Sequence, residues 1–211
     1  ILEINSKTGL YPLYVTYSMY RAKIEKQELD FDEKLKIWDD IVLNNIYVIC
    51  KTPMAKAITR RTLLGYRKGK MNAHAFDNLI NQMKEKQTQL IQKIKTPSFW
   101  NKGGSEMKFN AVVGNPPYQI EGGSGGSNDA PIYQLFATFA ENLKANCISL
   151  IMPSRWFAAG RENLLGEFRS RMINNSSLEK LIVFSNATDI FTNVEIKGGI
   201  CYYLINNNYN G

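Results

Sequence analysis

The chain has 211 residues, an ordinary globular composition and a formal net charge of +7, which suits one sizeable domain and a polyanionic partner such as nucleic acid. One histidine, His74, is too few for a histidine-built zinc site or a His-based catalytic triad, so no metal is expected. The three cysteines, Cys50, Cys147 and Cys201, sit in apolar strand-like runs and read as buried thiols of a cytoplasmic protein. No apolar run approaches the ~20 residues that a membrane helix needs.

Strand-like and helical stretches alternate along the chain. "ILEI" (Ile1–Ile4) reads as the end of a strand, and the apolar run after Leu10 as a helix with Pro12 near its start. Asn45–Cys50 is a short buried strand. Thr52 is an N-cap and Pro53 a first helical residue for the basic helix that follows. Lys51, Lys56, Arg60, Arg61, Arg67, Lys68 and Lys70, in and just beyond this helix, read as a solvated face or as contacts to phosphate. Ala73 to Lys95 reads as one polar helix. "NAVVG" is a strand, "PIYQLFATFAENLKA" an amphipathic helix, "CISLIMP" a strand and "RENLLGEFRSRMI" a helix. "LEKLIVF" and "GGICYYLIN" are late strands with less helix between them. This alternation predicts an α/β fold with a doubly wound sheet.

Ligands of such sheets bind at the carboxyl ends of strands. That edge would carry "NSKTG", "CKTP" and "NPPYQ". The Gly/Ser-rich Glu121–Asp129 reads as a surface connector or a lid beside a site. The corner Asn115-Pro116-Pro117-Tyr118 is the most informative stretch. Two prolines fix φ and remove two backbone donors, which leaves rigid carbonyls outside any ladder. Asn115 adds a side-chain carbonyl. Together they suit an –NH₂ group on a planar ring, and Tyr118 offers a face on which that ring can stack.

The corner resembles motif IV of the S-adenosylmethionine-dependent amino-methyltransferases, and "KFNAVVGNPPYQ", "ISLIMPSRWF" and "DIFTNVEIKGGICYYLI" resemble segments of their adenine-specific restriction–modification group. The resemblance implies a Rossmann-like methyltransferase sheet, mostly parallel with late antiparallel strands. It also implies methyl transfer from S-adenosylmethionine to N6 of adenine in DNA. Asn115 and the Pro116 carbonyl would accept hydrogen bonds from the target amino group, Pro117 would stiffen the turn, and Tyr118 and Phe191 would stack on the two faces of an extruded base. "ILEINSKTG" resembles motif I, with Glu3 at its acid, Lys7 at its first Gly, Gly9 at its second, and Asn5 in the same loop. Cys50 takes the place of the ribose-binding acid of motif II, and Asn110 that of the acid before the corner. These would be the cofactor-binding residues. Lys7 and Cys50 depart from the family pattern, and no motif III acid is evident between Arg67 and Glu106.

On this reading residues 1–211 are a single methyltransferase catalytic domain and a fragment of a longer protein. Its partners would be double-stranded DNA, a DNA-recognition domain beyond this chain, and an endonuclease or helicase domain fused elsewhere in the parent. Two alternatives stand beside it. The same corner serves enzymes that methylate glutamine in release factors or that modify RNA. The departures at Lys7 and Cys50 also suit a degenerate, non-catalytic nucleic-acid-binding or scaffold domain of a restriction enzyme.

Overall fold

In a computed structural model that describes residues 1–119, 130–158, 165–192 and 194–211, strand β1 (Leu2–Ser6) is buried at every position, as a strand covered on both faces must be. The chain divides into two units, Ile1–Lys108 and Phe109–Gly211.

In the first unit β1 pairs in parallel with β2 (Tyr47–Cys50), and β2 with β3 (Asn72–Ala75). Ser6 pairs with Cys50 and Cys50 with Ala75, so the carboxyl ends of the three strands share one edge. Helix α1 (Leu10–Ile24) packs on α2 (Phe31–Asn44) and α3 (Pro53–Leu64). Ile41, Val48, Leu63 and Leu64 form the centre of the core between these elements. Burial of each such side chain contributes roughly 1.5–3 kcal/mol.

Helix α3 starts as the sequence predicts: Thr52 Oγ1 accepts from the Ala55 N–H at 3.1 Å, and Pro53 follows. It ends at Leu64, capped by Gly65, so the basic residues lie in and just beyond it. Helix α2 is absent from the sequence reading, although its capping box is complete. The Asp30 carboxylate accepts from the Glu33 N–H at 2.8 Å, and the Glu33 carboxylate from the Asp30 N–H at 2.9 Å.

The single helix expected over Ala73–Lys95 is corrected to β3, α4 (Leu79–Glu85) and α5 (Gln87–Lys95). The amide of Asn72 fixes the strand by donating to the carbonyls of Leu43 and Ile46, at 2.6 and 3.0 Å. His74 lies in β3 with its ring stacked on Phe99, 3.8 Å between centroids.

In the second unit β4 (Ala111–Gly114) runs parallel to β5 (Cys147–Pro153). Strand β7 (Ile200–Asn206) is antiparallel to β5 and to β6 (Leu178–Phe184). Helix α6 (Tyr133–Asn142) buries Phe136, Ala137, Phe139 and Ala140. Helix α7 (Glu167–Ile173) buries Phe168 and Met172, and its Arg171 pairs with Glu141 at 2.9 Å. The first part of the helix expected over Arg161–Ile173, and the connector Glu121–Asp129, lie outside the described residues. Parallel pairing up to β5, followed by antiparallel β6 and β7, is the mixed α/β arrangement that the sequence predicts.

Cys50 and Cys201 are buried as expected, whereas Cys147 is only half-buried. Among the described residues no helix is long and apolar enough to cross a membrane, and no three metal-ligating side chains converge.

Candidate active site

The ladder between β4 and β5 ends at Gly114, opposite Leu150, where the prolines that follow can donate nothing to it. Asn115 is half-buried, Pro116 buried, and Pro117 and Tyr118 half-buried. The exit of the corner is fixed by a hydrogen bond from the Ile132 N–H to the Tyr118 carbonyl, at 3.2 Å, and by a bridge between Gln119 and Pro131. A cleft of about 140 Å³ opens beside it, with Tyr118, Tyr133, Arg155, Glu195, Ile196 and Lys197 among its walls. The Tyr118 ring therefore borders a cleft at the carboxyl end of a parallel strand.

The far wall of the cleft is held by two segments tied together. Ser154 Oγ donates to the Gly198 carbonyl at 2.7 Å, the Ser154 N–H to the Gly199 carbonyl at 3.2 Å, and Arg155 Nε to the Lys197 carbonyl at 2.8 Å. Gly199 makes this possible. Its φ is +75°, and a Cβ there would stand 2.1 Å from the Phe184 carbonyl oxygen.

Phe191 is not among the residues that line the cleft. It is half-buried against Ile151, Ala187 and Ile200, and its neighbour in that cluster, Ile196, forms the cleft wall. Asn110 also lies apart from the corner. It is exposed at the amino end of β4, where its carbonyl accepts from the Cys147 N–H at 2.9 Å. Four residues of extended chain stand between it and Asn115, a span of roughly 16 Å.

The other predicted residues gather at the carboxyl edge of the first unit. Asn5 forms an irregularity in β1 with φ +72°, and Gly9 turns the chain into α1 with φ +78°. A Cβ on Gly9 would lie 3.0 Å from the Thr59 Cα, so glycine permits the close approach of α3. Lys7 is exposed and falls at neither left-handed position, so its backbone does not require glycine.

Glu3 is only 4 % exposed. Its carboxyl is hydrogen-bonded to Ser6, but Oε2 has no hydrogen-bond partner, and burial pushes its pKa up to about 8. Cys50 is fully buried, its thiol pushed up to about 11 by burial and opposed in this by a hydrogen bond with Thr59. The place of the ribose-binding acid is thus filled by a thiol directed at a helix.

An acid that the sequence reading misses is Asp77. It is exposed two residues beyond β3, at the edge shared by Ser6 and Cys50. Reading β3 as helix hid it. Gln119, Tyr133, Arg155, Ile196 and Lys197 were not singled out either. The segments that carry the last three resemble the family, but their sequence alone does not say that they meet.

Strand–loop–helix edges of this kind, with the loops at the carboxyl ends of parallel strands, define a Rossmann-like α/β fold. The fold agrees over nearly the whole chain with a chain from a structure of the type I R-M system, with a TM-score of 0.62 and 10% identity over 99% of this chain and 38% of that one. The type I restriction-modification system methyltransferase subunit from Streptococcus thermophilus gives a TM-score of 0.53 and 12% identity over 98% of this chain and 39% of that one. Residues 44–191, drawn from both units, match the sequence model of the Eco57I restriction-modification methylase family, and the chain belongs to that family. A relative from Mycoplasma pneumoniae (strain ATCC 29342 / M129 / Subtype 1), described as an uncharacterized adenine-specific methylase, is 37% identical over 107 residues. The match spans 50% of this chain and a quarter of that relative's length.

Proposed function

We propose that residues 1–211 are the catalytic domain of a longer, cytoplasmic protein that methylates the N6 amino group of adenine in duplex DNA. S-adenosylmethionine is the proposed donor, and the DNA-recognition domain of the proposal lies outside this chain. The observation that carries this reading is the Asn115–Tyr118 corner, which leaves a parallel strand and borders a cleft. Membership of a restriction–modification methylase family and the adenine-specific relative support the choice of DNA and adenine.

The donor's fit rests on the carboxyl edge of the first unit. Glu3 carries a buried carboxyl oxygen without a hydrogen-bond partner, suited to a hydrogen-bonding group of the ligand, and Gly9 keeps the loop free of a side chain at its close approach to α3. Glu3, Asn5 and Gly9 would hold the donor, with Lys7 at the rim and Asp77 as an exposed acceptor. Cys50 would take no direct part, because its thiol is turned to Thr59. Bound there, S-adenosylmethionine supplies an electrophilic methyl group.

The acceptor side is the work of the second unit. Tyr118 stacks on the extruded base, and Ile196 of the cleft wall offers the second face, with Phe191 packed on the same hydrophobic cluster as Ile196. Asn115 Oδ1 and the Pro116 carbonyl accept the two N–H bonds of the amino group. This fixes the direction of the nitrogen lone pair and raises its electron density before transfer. Positioning and preorganised dipoles do most of this work, and no covalent bond to the protein forms.

Asn115→Ala in the full-length parent is expected to reduce methylation by about 10²–10³-fold, with fold and donor binding retained. The measurement is transfer of labelled methyl to duplex DNA, followed by digestion and identification of the modified base. Label in cytosine would correct the acceptor, and label in protein or RNA the substrate class. No label in any acceptor would favour the non-catalytic scaffold.

A further inference from the structure

We propose that Arg155 and Lys197 form a phosphate-binding rim, which holds the phosphodiester beside the nucleotide whose base enters the cleft. The inference rests on the base-extrusion reading above and goes beyond it. Its starting point is a charge mismatch. Arg155 and Lys197 both line the cleft that holds Tyr118, with Glu195 as the acid beside them. An adenine ring is neutral and the proposed donor is a cation, so neither answers a pair of cations. The anionic part of an extruded nucleotide is its phosphodiester.

The geometry suits that ligand. The hydrogen bonds that tie Ser154 and Arg155 to Lys197, Gly198 and Gly199 bring the two cations to one rim although they lie far apart in sequence. The anchor of Arg155 uses its Nε–H, so the guanidinium plane is set by the backbone of Lys197. The Nη groups make the planar fork that takes two phosphate oxygens, while Lys197 adds a compact charge. Glu195, which also lines the cleft, disfavours an anion on its own side. A cleft bordered by an aromatic ring, with cations at its edge, is the arrangement by which single-stranded nucleotides are held.

The test uses the full-length parent, its duplex substrate, and the same duplex with one uncharged methylphosphonate beside the target adenine. Wild-type binding is expected to weaken with the methylphosphonate. The Arg155→Ala/Lys197→Ala protein is expected to bind both duplexes alike, with the slope of log K against log salt reduced by about 2. Its donor binding, read by calorimetry, is expected to be unchanged. Where loss of the Arg155 anchor impairs folding, Lys197→Gln replaces it. The backbone of Lys197, which accepts the anchor, is kept, and the expected loss of slope is about 1. A wild-type protein that methylates duplex DNA yet loses no more affinity than the variants with the methylphosphonate overturns this inference alone. A wild-type protein that transfers no methyl to DNA overturns the reading beneath it and this inference together.

Discussion

Glu3, buried in β1, has a clear electrostatic consequence. Its pKa lies at about 8, against an ordinary 4.5, because burial disfavours the carboxylate. The folded state therefore holds a proton that the unfolded state releases between these values. The resulting stability is fully present below about 4.5 and is lost as pH rises through 8. The shift corresponds to on the order of 5 kcal/mol. Glu3→Gln is expected to flatten the pH dependence of thermal unfolding and to raise Tm above wild type at pH 8. A wild-type Tm that does not fall between pH 5 and pH 8 would contradict the assignment. The sequence makes Glu3 visible as a motif residue but cannot show its burial, which depends on helices packed over β1. Nor can it show that Cys50, at the place of the ribose-binding acid, is fully buried with its thiol hydrogen-bonded to Thr59.

At the scale of elements, legibility follows local chemistry. Helix α3 is readable because Thr52 and Pro53 announce its start. Strand β4 is readable because a short apolar run meets two prolines. Strand β3 is not, since Asn72-Ala73-His74-Ala75 lacks the branched and aromatic residues that mark strands. Its identity comes from pairing with β2 and from the Asn72 hydrogen bonds. The turn before β7 is similar: the sequence reads Gly198 and Gly199 as the start of the strand, and only the fold shows them to be a turn tied to Ser154 and Arg155. Gly199→Ala is expected to cost about 2–4 kcal/mol in urea unfolding, through left-handed strain and the collision with the Phe184 carbonyl. Gly65→Ala is the control. Its φ is also positive, at +59°, but nothing lies within 4 Å of the added Cβ, so only backbone strain arises there and the smaller cost is expected. Equal losses for the two would mean that the turn before β7 is no more constrained than a helix end.

Across the whole molecule the basic composition divides by task. Arg60 donates to the Arg67 and Gly69 carbonyls, Arg67 pairs with Asp39, and Arg61 lies over the Tyr66 ring, 3.9 Å from its centroid. These charges hold their own unit together, so the positive balance of the sequence overstates what is offered to a polyanion. The buried cysteines have a kinetic consequence. Cys50 lies in the first unit and Cys201 in the second, each buried and each pushed to about 11. Thiolate is the reactive form, so neither reacts at neutral pH until its surroundings open. Cys147, half-buried, is expected to label first. Mass spectrometry of alkylated peptides then reads two internal clocks, one per unit. Matching rates for Cys50 and Cys201 across a denaturant series would mean that the units open as one body. Diverging rates would mean that each unit opens on its own timescale.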